Sequence, residues 1–332
     1  MSKAGKTMVR SLYRIAGNAL SPQGEAARLS ILIYHRVLPN IDDLLPYEVT
    51  ADAFDKQLEV LKSAFNVLSL GEAVDRLKLG TLPPRSACIT FDDGYADNAT
   101  IALPILQRHG MPATFFIASA YINGGIMFND VIIHAVRHSR SDYVNLNQLG
   151  FGEFALNTPS AKRLAISRIL FKLRYETPPE LREDTANELA KLASDAPCPT
   201  DLMMGTRQLL EMANAGMEIG GHTLRHPILA RLSLGNARRE IADGKDYLEA
   251  LLGIKLNFFA YPNGRPGVDY TLEQAELIPL LGFAAALTTS HGTASQNNCL
   301  FELPRFTPHS LNSQHFVPAL LKNIMFSRFN IH

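Results

Sequence analysis

Short runs built almost entirely from apolar residues recur along this chain without alternating with polar ones. Ile31–Tyr34, Ala87–Phe91, Ala113–Ile117, Met217–Ile219, Phe258–Tyr261, Phe283–Leu287 and Leu303–Phe306 are the clearest. A strand that is apolar on both faces has to be covered on both faces. Between these runs lie stretches with helical spacing at 53–65, 97–109, 235–252 and 270–281. Thr50 or Asp52 can cap the first of them, and Gly110 closes the second. This alternation predicts an α/β fold in which a parallel sheet is wrapped by helices. About seven such units feeding one site favour a closed (β/α) barrel over an open sheet, although periodicity alone does not decide between them.

The alternation stops between about 123 and 205. That segment reads as helices over Val131–Arg137, Ala161–Tyr175 and Pro179–Ser194, with Pro178-Pro179 and Pro197-Cys198-Pro199 as breakers. No run there matches the strands on either side. The expected organisation is therefore a basic segment or helix at 1–29 and a barrel domain at 30–332, with a helical insertion that flanks the site.

Composition excludes several functions. Thirty-two Lys+Arg balance thirty-two Asp+Glu, whereas a protein that grips a nucleic-acid backbone carries a basic excess. Cys88, Cys198 and Cys299 are too few and too scattered for a disulfide framework or a thiolate zinc site. No apolar stretch is long enough for a signal-peptide core or a transmembrane helix, so the cytoplasm is the expected compartment. Lys3, Lys6, Arg10 and Arg14 precede the first acid, Glu25, while Met8, Leu12, Ile15 and Ala19 recur at helical spacing. A basic amphipathic helix of this kind can touch a membrane surface or pack on its own domain, and the second is the commoner outcome.

Three segments carry chemistry. Thr90-Phe91-Asp92-Asp93-Gly94-Tyr95 places two carboxylates where a buried strand ends, the side of an α/β fold on which sites form. Asp-Asp-Gly also makes an ordinary Asx turn or helix cap. Gly220-Gly221-His222-Thr223-Leu224-Arg225-His226-Pro227 places two imidazoles at i and i+4 after a strand and a Gly-Gly turn, close enough to share one metal. Pro227 argues for a short turn there, not a helix. Thr223 stands where a metalloprotease HExxH would have Glu, which removes that reading. Phe258-Phe259-Ala260-Tyr261-Pro262-Asn263-Gly264 ends a strand in a rigid turn that can aim a backbone N–H at a developing oxyanion.

In this order the three segments resemble the motifs of the polysaccharide deacetylase family (NodB homology, carbohydrate esterase family 4). TFDDGY resembles the first motif, HTLRHP the H-[ST]-x-x-H-P second, and FAYPNG a variant of the third. The resemblance spans roughly 30–120 and 205–306. It implies a distorted (β/α) barrel of the NodB type that takes one divalent metal, usually Zn2+, through Asp93, His222 and His226, with Asp92 as general base. The implied reaction is hydrolytic removal of acetyl groups from N-acetylated hexosamines of a polysaccharide, oligosaccharide or lipid-linked saccharide. An O-acetyl esterase, another C–N hydrolase or a non-catalytic carbohydrate-binding relic are the alternatives, although a relic should have lost one of these four residues. Tyr95, Tyr261 and His35, the last within Tyr34-His35-Arg36-Val37, are expected on the substrate side, with the Tyr261 N–H as oxyanion donor. The family's third-motif Arg is missing, and Arg305 is the expected substitute. The usual Leu-x-His acid is also missing, and His309, ahead of His291, is the expected proton donor.

Overall fold

The computed structural model describes residues 3–308 and 312–329. Seven parallel strands follow one another in chain order: β1 (Leu29–Tyr34), β2 (Ser86–Phe91), β3 (Thr114–Ile117), β4 (Glu218–Gly221), β5 (Phe258–Ala260), β6 (Ala285–His291) and β7 (Leu303–Arg305). A two-residue strand, Asn66–Val67, pairs with the start of β2. The sheet curls until its ends meet. Ile33 N–H donates to the Phe306 carbonyl at 3.0 Å, and Phe306 N–H donates to that of Ile31 at 2.8 Å. The result is a nearly closed barrel, as the repeated strand–helix units require.

Every residue of β1 and β2 is buried, because successive side chains enter two different cores. One set, including Leu32, Ile89, Phe91, Phe115, Ile219 and Phe259, packs against surrounding helices such as Ala51–Ala64 and Leu234–Leu252. The other set, including Ile31, Cys88, Phe116, Phe258, Leu287 and Leu303, fills the barrel interior over helix Leu70–Lys78. Helix Ala51–Ala64 is capped by Thr50, whose hydroxyl accepts from Ala53 N–H. The helical stretch before β3 ends on Gly110 in the left-handed conformation.

Gly220 and Gly221, expected to form a turn, are instead the last residues of β4. A Cβ at Gly220 would lie 2.5 Å from the Phe116 ring and 3.0 Å from the Phe258 carbonyl. The glycine therefore serves close packing across the barrel and not a change of direction.

The segment between β3 and β4 folds over its own core, which includes Ile132, Val136, Ile169, Leu173 and Leu189. It contains helices Phe128–Arg137, Pro159–Tyr175 and Arg182–Ala193. It also contains an antiparallel hairpin, Tyr143–Asn145 with Glu153–Ala155, where no strand was expected. Those strands are mostly exposed and three residues long, too short to show a period.

A helix spans Lys3–Leu20. Its C-terminal end is tied to the domain, with Arg85 Nε donating to Asn18 Oδ1 at 2.6 Å and Arg328 donating to the Ala19 and Leu20 carbonyls. Leu12 and Ile15 remain exposed on it. Among the described residues no helix is long and apolar enough to cross a membrane. All three cysteines are free, and Cys88 is buried.

Candidate active site

The two-residue period of the strands aims the site. Cys88 and Leu303 face the barrel interior, so two residues further on Thr90 and Arg305 do the same, and Asp92 follows Thr90 to the barrel mouth. Ile31 sets the same parity for His35, and Gly220 sets it for His222. Asp93 would point away, but the chain turns at that residue with φ +78° and the carboxylate swings back over the mouth. Six described non-glycine residues have left-handed φ, and four of them are Asp93, Thr223, His226 and Asn263. Such conformations cost about 1–3 kcal/mol each and persist only where the surroundings impose them. Here they lie in the three segments with motif character.

The His222–His226 turn is held from several sides. His226 N–H donates to Thr223 Oγ1 at 3.0 Å, and Arg225 N–H donates to Glu240 Oε2 at 2.8 Å. Ser119 and Ala120 N–H groups donate to the Thr223 and Leu224 carbonyls. Gly244 packs so tightly beneath that a Cβ there would lie 2.6 Å from the Thr223 carbonyl carbon.

Asp93 Oδ1 lies 3.3 Å from His222 Nε2 and 3.3 Å from His226 Nε2, and all three side chains are buried. The three candidate ligand atoms fall within 4.8 Å of one another. His222 Nδ1 lies 2.7 Å from the Ala260 carbonyl. That contact holds the ring's proton on Nδ1 and turns the Nε2 lone pair toward Asp93. Asp93 Oδ1 itself has no hydrogen-bond partner among the described residues. An orphaned buried carboxylate oxygen facing two imidazole nitrogens is the donor set a divalent cation takes, with positions left for water and substrate. Burial alone would raise the Asp93 pKa, but the two imidazoles that face it, His226 foremost, hold it well below the usual range.

Asp92 is handled differently. Arg305 grips it with both arms of its guanidinium, Nη1 to Oδ1 and Nη2 to Oδ2, each at 2.7 Å. Arg305 Nε donates to the Thr288 carbonyl at 2.7 Å. Burial raises the Asp92 pKa, but the charges of Arg305 and His222 outweigh it and keep the group ionised. Arg305 is only 1% exposed, so it touches Asp92 and not a substrate.

A cavity of about 350 Å³ opens over these groups, lined by His35, Tyr95, Asp92, Asp93, His222 and His226 from the barrel side. The insertion supplies another wall with Asn129, Asp130, Ile133, Leu170 and Arg174. Tyr95 lies in the cavity wall with its hydroxyl on the Asp130 carboxylate, at 3.1 Å to the nearer oxygen. Tyr261 does not reach the cavity. Its N–H donates to the Leu287 carbonyl at 3.2 Å and its hydroxyl to that of Phe301 at 2.9 Å, so the sheet uses the donor expected for an oxyanion. The turn beyond it brings Asn263 to the cavity instead. His291 is exposed at the end of β6 against Phe306 and is not among the cavity residues. His309 lies outside the described residues.

Sequence reasoning missed Asp130, Arg174 and Asn263. Asn263 was within reach, since Pro-Asn-Gly marks a turn whose Asn tolerates left-handed φ. Asp130 and Arg174 lie in helices of the insertion, and only the packing of that segment brings them to the barrel mouth.

A parallel barrel with an ionised, arginine-locked carboxylate beside an Asp-His-His cluster that could hold a metal ion is a hydrolase's arrangement. The polysaccharide deacetylase profile matches residues 80–163 and 175–280, more than half of the chain, and the protein belongs to that family of hydrolases acting on non-peptide C–N bonds. It is 24% identical to YxkH of Bacillus subtilis (strain 168) over 281 residues, covering 84% of this chain and 71% of that protein. It is 30% identical to the poly-beta-1,6-N-acetyl-D-glucosamine N-deacetylase of Staphylococcus aureus (strain MSSA476) over 120 residues, which is 36% of this chain and 40% of that one. Among solved structures, the Streptococcus pyogenes deacetylase PplD in complex with acetate shares the fold at TM-score 0.58 and 22% identity, covering 90% of this chain and 98% of that one.

Proposed function

We propose that this protein hydrolyses the acetamide of N-acetylated hexosamine units in a saccharide, releasing acetate and a free amine. The observation that carries this reading is the locked Asp92 beside the Asp93–His222–His226 cluster on the floor of one cavity. The cluster's three ligands are the residues that would hold a divalent ion, zinc by donor type. Such an ion supplies a Lewis acid for the carbonyl oxygen and lowers the pKa of water.

The chain's own residues do the rest. Asp92 accepts the proton of the attacking water, and Arg305 fixes its orientation and keeps it ionised until then. The turn at Asn263 takes the place expected for Tyr261, where a backbone donor can meet the developing oxyanion. Expulsion of the amine needs a proton on nitrogen, because an amide anion is a poor leaving group. Imidazole is the side chain best suited to deliver it near neutral pH. His222 and His226 are committed to the cluster, and among the described residues His35 is the remaining histidine of the cavity. We therefore assign the proton donor to His35.

The test is acetate release from N-acetylglucosamine oligomers by protein loaded with one metal equivalent. Metal analysis should find about one ion per chain, and the double variant His222→Ala/His226→Ala should not retain it. Turnover of O-acetyl esters with no acetate from any N-acetyl sugar would replace this reading with an esterase.

A further inference from the structure

Two arginines of this protein are almost fully buried, and only one of them is answered. Arg305 holds Asp92 with both arms. Arg182, the first residue of the insertion helix Arg182–Ala193, is 5% exposed and rests on an aromatic ring, its guanidinium carbon 4.2 Å from the centre of Phe128. Its Nε has no hydrogen-bond partner, and the guanidinium enters no ion pair among the described residues. Burial lowers its pKa, but a guanidinium stays charged at any pH at which a protein folds. A buried cation in this position is costly unless a group from outside the chain pairs with it.

Arg182 lines a pocket of about 360 Å³ between the insertion and helix Leu234–Leu252, and this pocket shares no residue with the catalytic cavity. Arg239 lines it too, and its guanidinium reaches only Asn236 Oδ1, at 2.7 Å. Arg225 is taken by Glu240, at 2.8 Å through its N–H and 3.4 Å through its guanidinium. Glu183 accepts from the Tyr121 hydroxyl at 3.4 Å. The helix that Arg182 opens has no side-chain cap, so the positive end of its dipole adds to the charge of Arg182. Glu180 and Asp243 stand exposed at the rim, where they repel a ligand of high negative charge. We propose that this pocket binds a ligand through a single compact anionic group, a carboxylate or a phosphate, set against Arg182 with Arg239 as the second contact. Arg225 and Pro227 of the same pocket belong to the turn that carries His222 and His226, so the bound anion ties the start of the insertion helix to the candidate metal ligands. Nothing in this inference depends on which bond the enzyme hydrolyses.

Binding is measured by calorimetry and by thermal unfolding of the full chain, with acetate, inorganic phosphate and glycerol phosphate against chloride at matched ionic strength. A metal held by the cluster also takes anions, so the same probes are applied to His222→Ala/His226→Ala, which should keep this site. At about a hundred times the dissociation constant of the best probe, Tm should rise by about 5 °C. Arg182→Met keeps an unbranched chain against Phe128 and removes the charge. In chloride it should be at least as stable as the parent, and no probe should raise its Tm. Arg239→Gln, at an exposed position, should weaken binding about tenfold. A phosphate probe that binds tighter than acetate assigns a phosphate ligand, and the reverse order assigns a carboxylate. Equal gains in the parent and Arg182→Met overturn the proposal, as does the absence of saturable binding in the double histidine variant.

Discussion

Asp92 and Asp93 are adjacent in the chain, and the structure gives them opposite surroundings. Arg305 satisfies both oxygens of Asp92, whereas Asp93 keeps one oxygen without a hydrogen bond, toward two imidazoles. The roles should therefore separate on mutation. Asp92→Asn is expected to keep its metal and lose about 10²–10⁴-fold in kcat, the range for a missing general base, while Asp93→Asn loses metal affinity as well. Equal metal loss in both variants would reverse the assignment. Arg305→Ala leaves Asp92 buried and unpaired, which costs about 3–5 kcal/mol for broken buried pairs of this kind, readable in urea unfolding. Arg305→Lys should lose less stability than Arg305→Ala but still lower kcat, because an ammonium cannot hold both oxygens in a fixed plane. The Asp92–Asp93 pair and the two histidines were legible because a motif is local in the chain. The Arg305–Asp92 contact bridges more than two hundred residues, and only the strand order, which places β7 beside β1 and β1 beside β2, brings them together. The Tyr261 donor was misjudged for the same reason, since the pairing of its N–H depends on where β6 lies.

At the scale of elements, the apolar runs were readable as strands because a barrel buries both strand faces, and the helices between them because their apolar spacing and caps agree. The Gly-Gly of β4 was not, since two glycines look the same in a turn and in a crowded strand. The crowding itself is testable. Gly220→Ala would drive a methyl against the Phe116 ring and the Phe258 carbonyl, and overpacking of this kind costs about 1–3 kcal/mol. Because His222 follows two residues later, the variant should also bind metal more weakly than the parent under conditions where it is fully folded. Unchanged metal affinity together with lowered stability would show that the strand absorbs the methyl without moving the histidine. The insertion shows the limit of element-level reading. Its helices were legible, but the faces they present to the barrel mouth were not, because those faces depend on how the segment docks.

Over the whole molecule the formal charge is zero, but buried charge is concentrated around the cavity, where the carboxyls outnumber the guanidinium groups that answer them. Composition cannot show this, since it counts buried and exposed charges alike. Asp97 is paired with Arg36 at 2.7 Å, and the Arg36 guanidinium also lies 4.8 Å from the centre of the Tyr95 ring. Asp130 is left with the Tyr95 hydroxyl. Burial is the largest influence on it, and Asp93 and Asp97 add repulsion that Arg36 and Tyr95 only partly offset, so its pKa is pushed up to about 7. An unfolded Asp titrates at about 3.9. The folded protein therefore binds a proton at Asp130 that the unfolded chain releases, and the stability this contributes is complete below about pH 4 and lost as pH rises through 7. Asp92 works in the other direction, since its lowered pKa contributes stability above the unfolded value that is lost as the solution is acidified. In metal-stripped protein, Asp130 should therefore make urea-unfolding stability decline between pH 5 and 8, by at most about 3 kcal/mol. Asp130→Asn cannot ionise and keeps an oxygen for the Tyr95 hydroxyl, so its profile over the same range should lack this decline. Parallel profiles for the two proteins would mean that Asp130 is already ionised at pH 5 and that Arg36, not protonation, balances it.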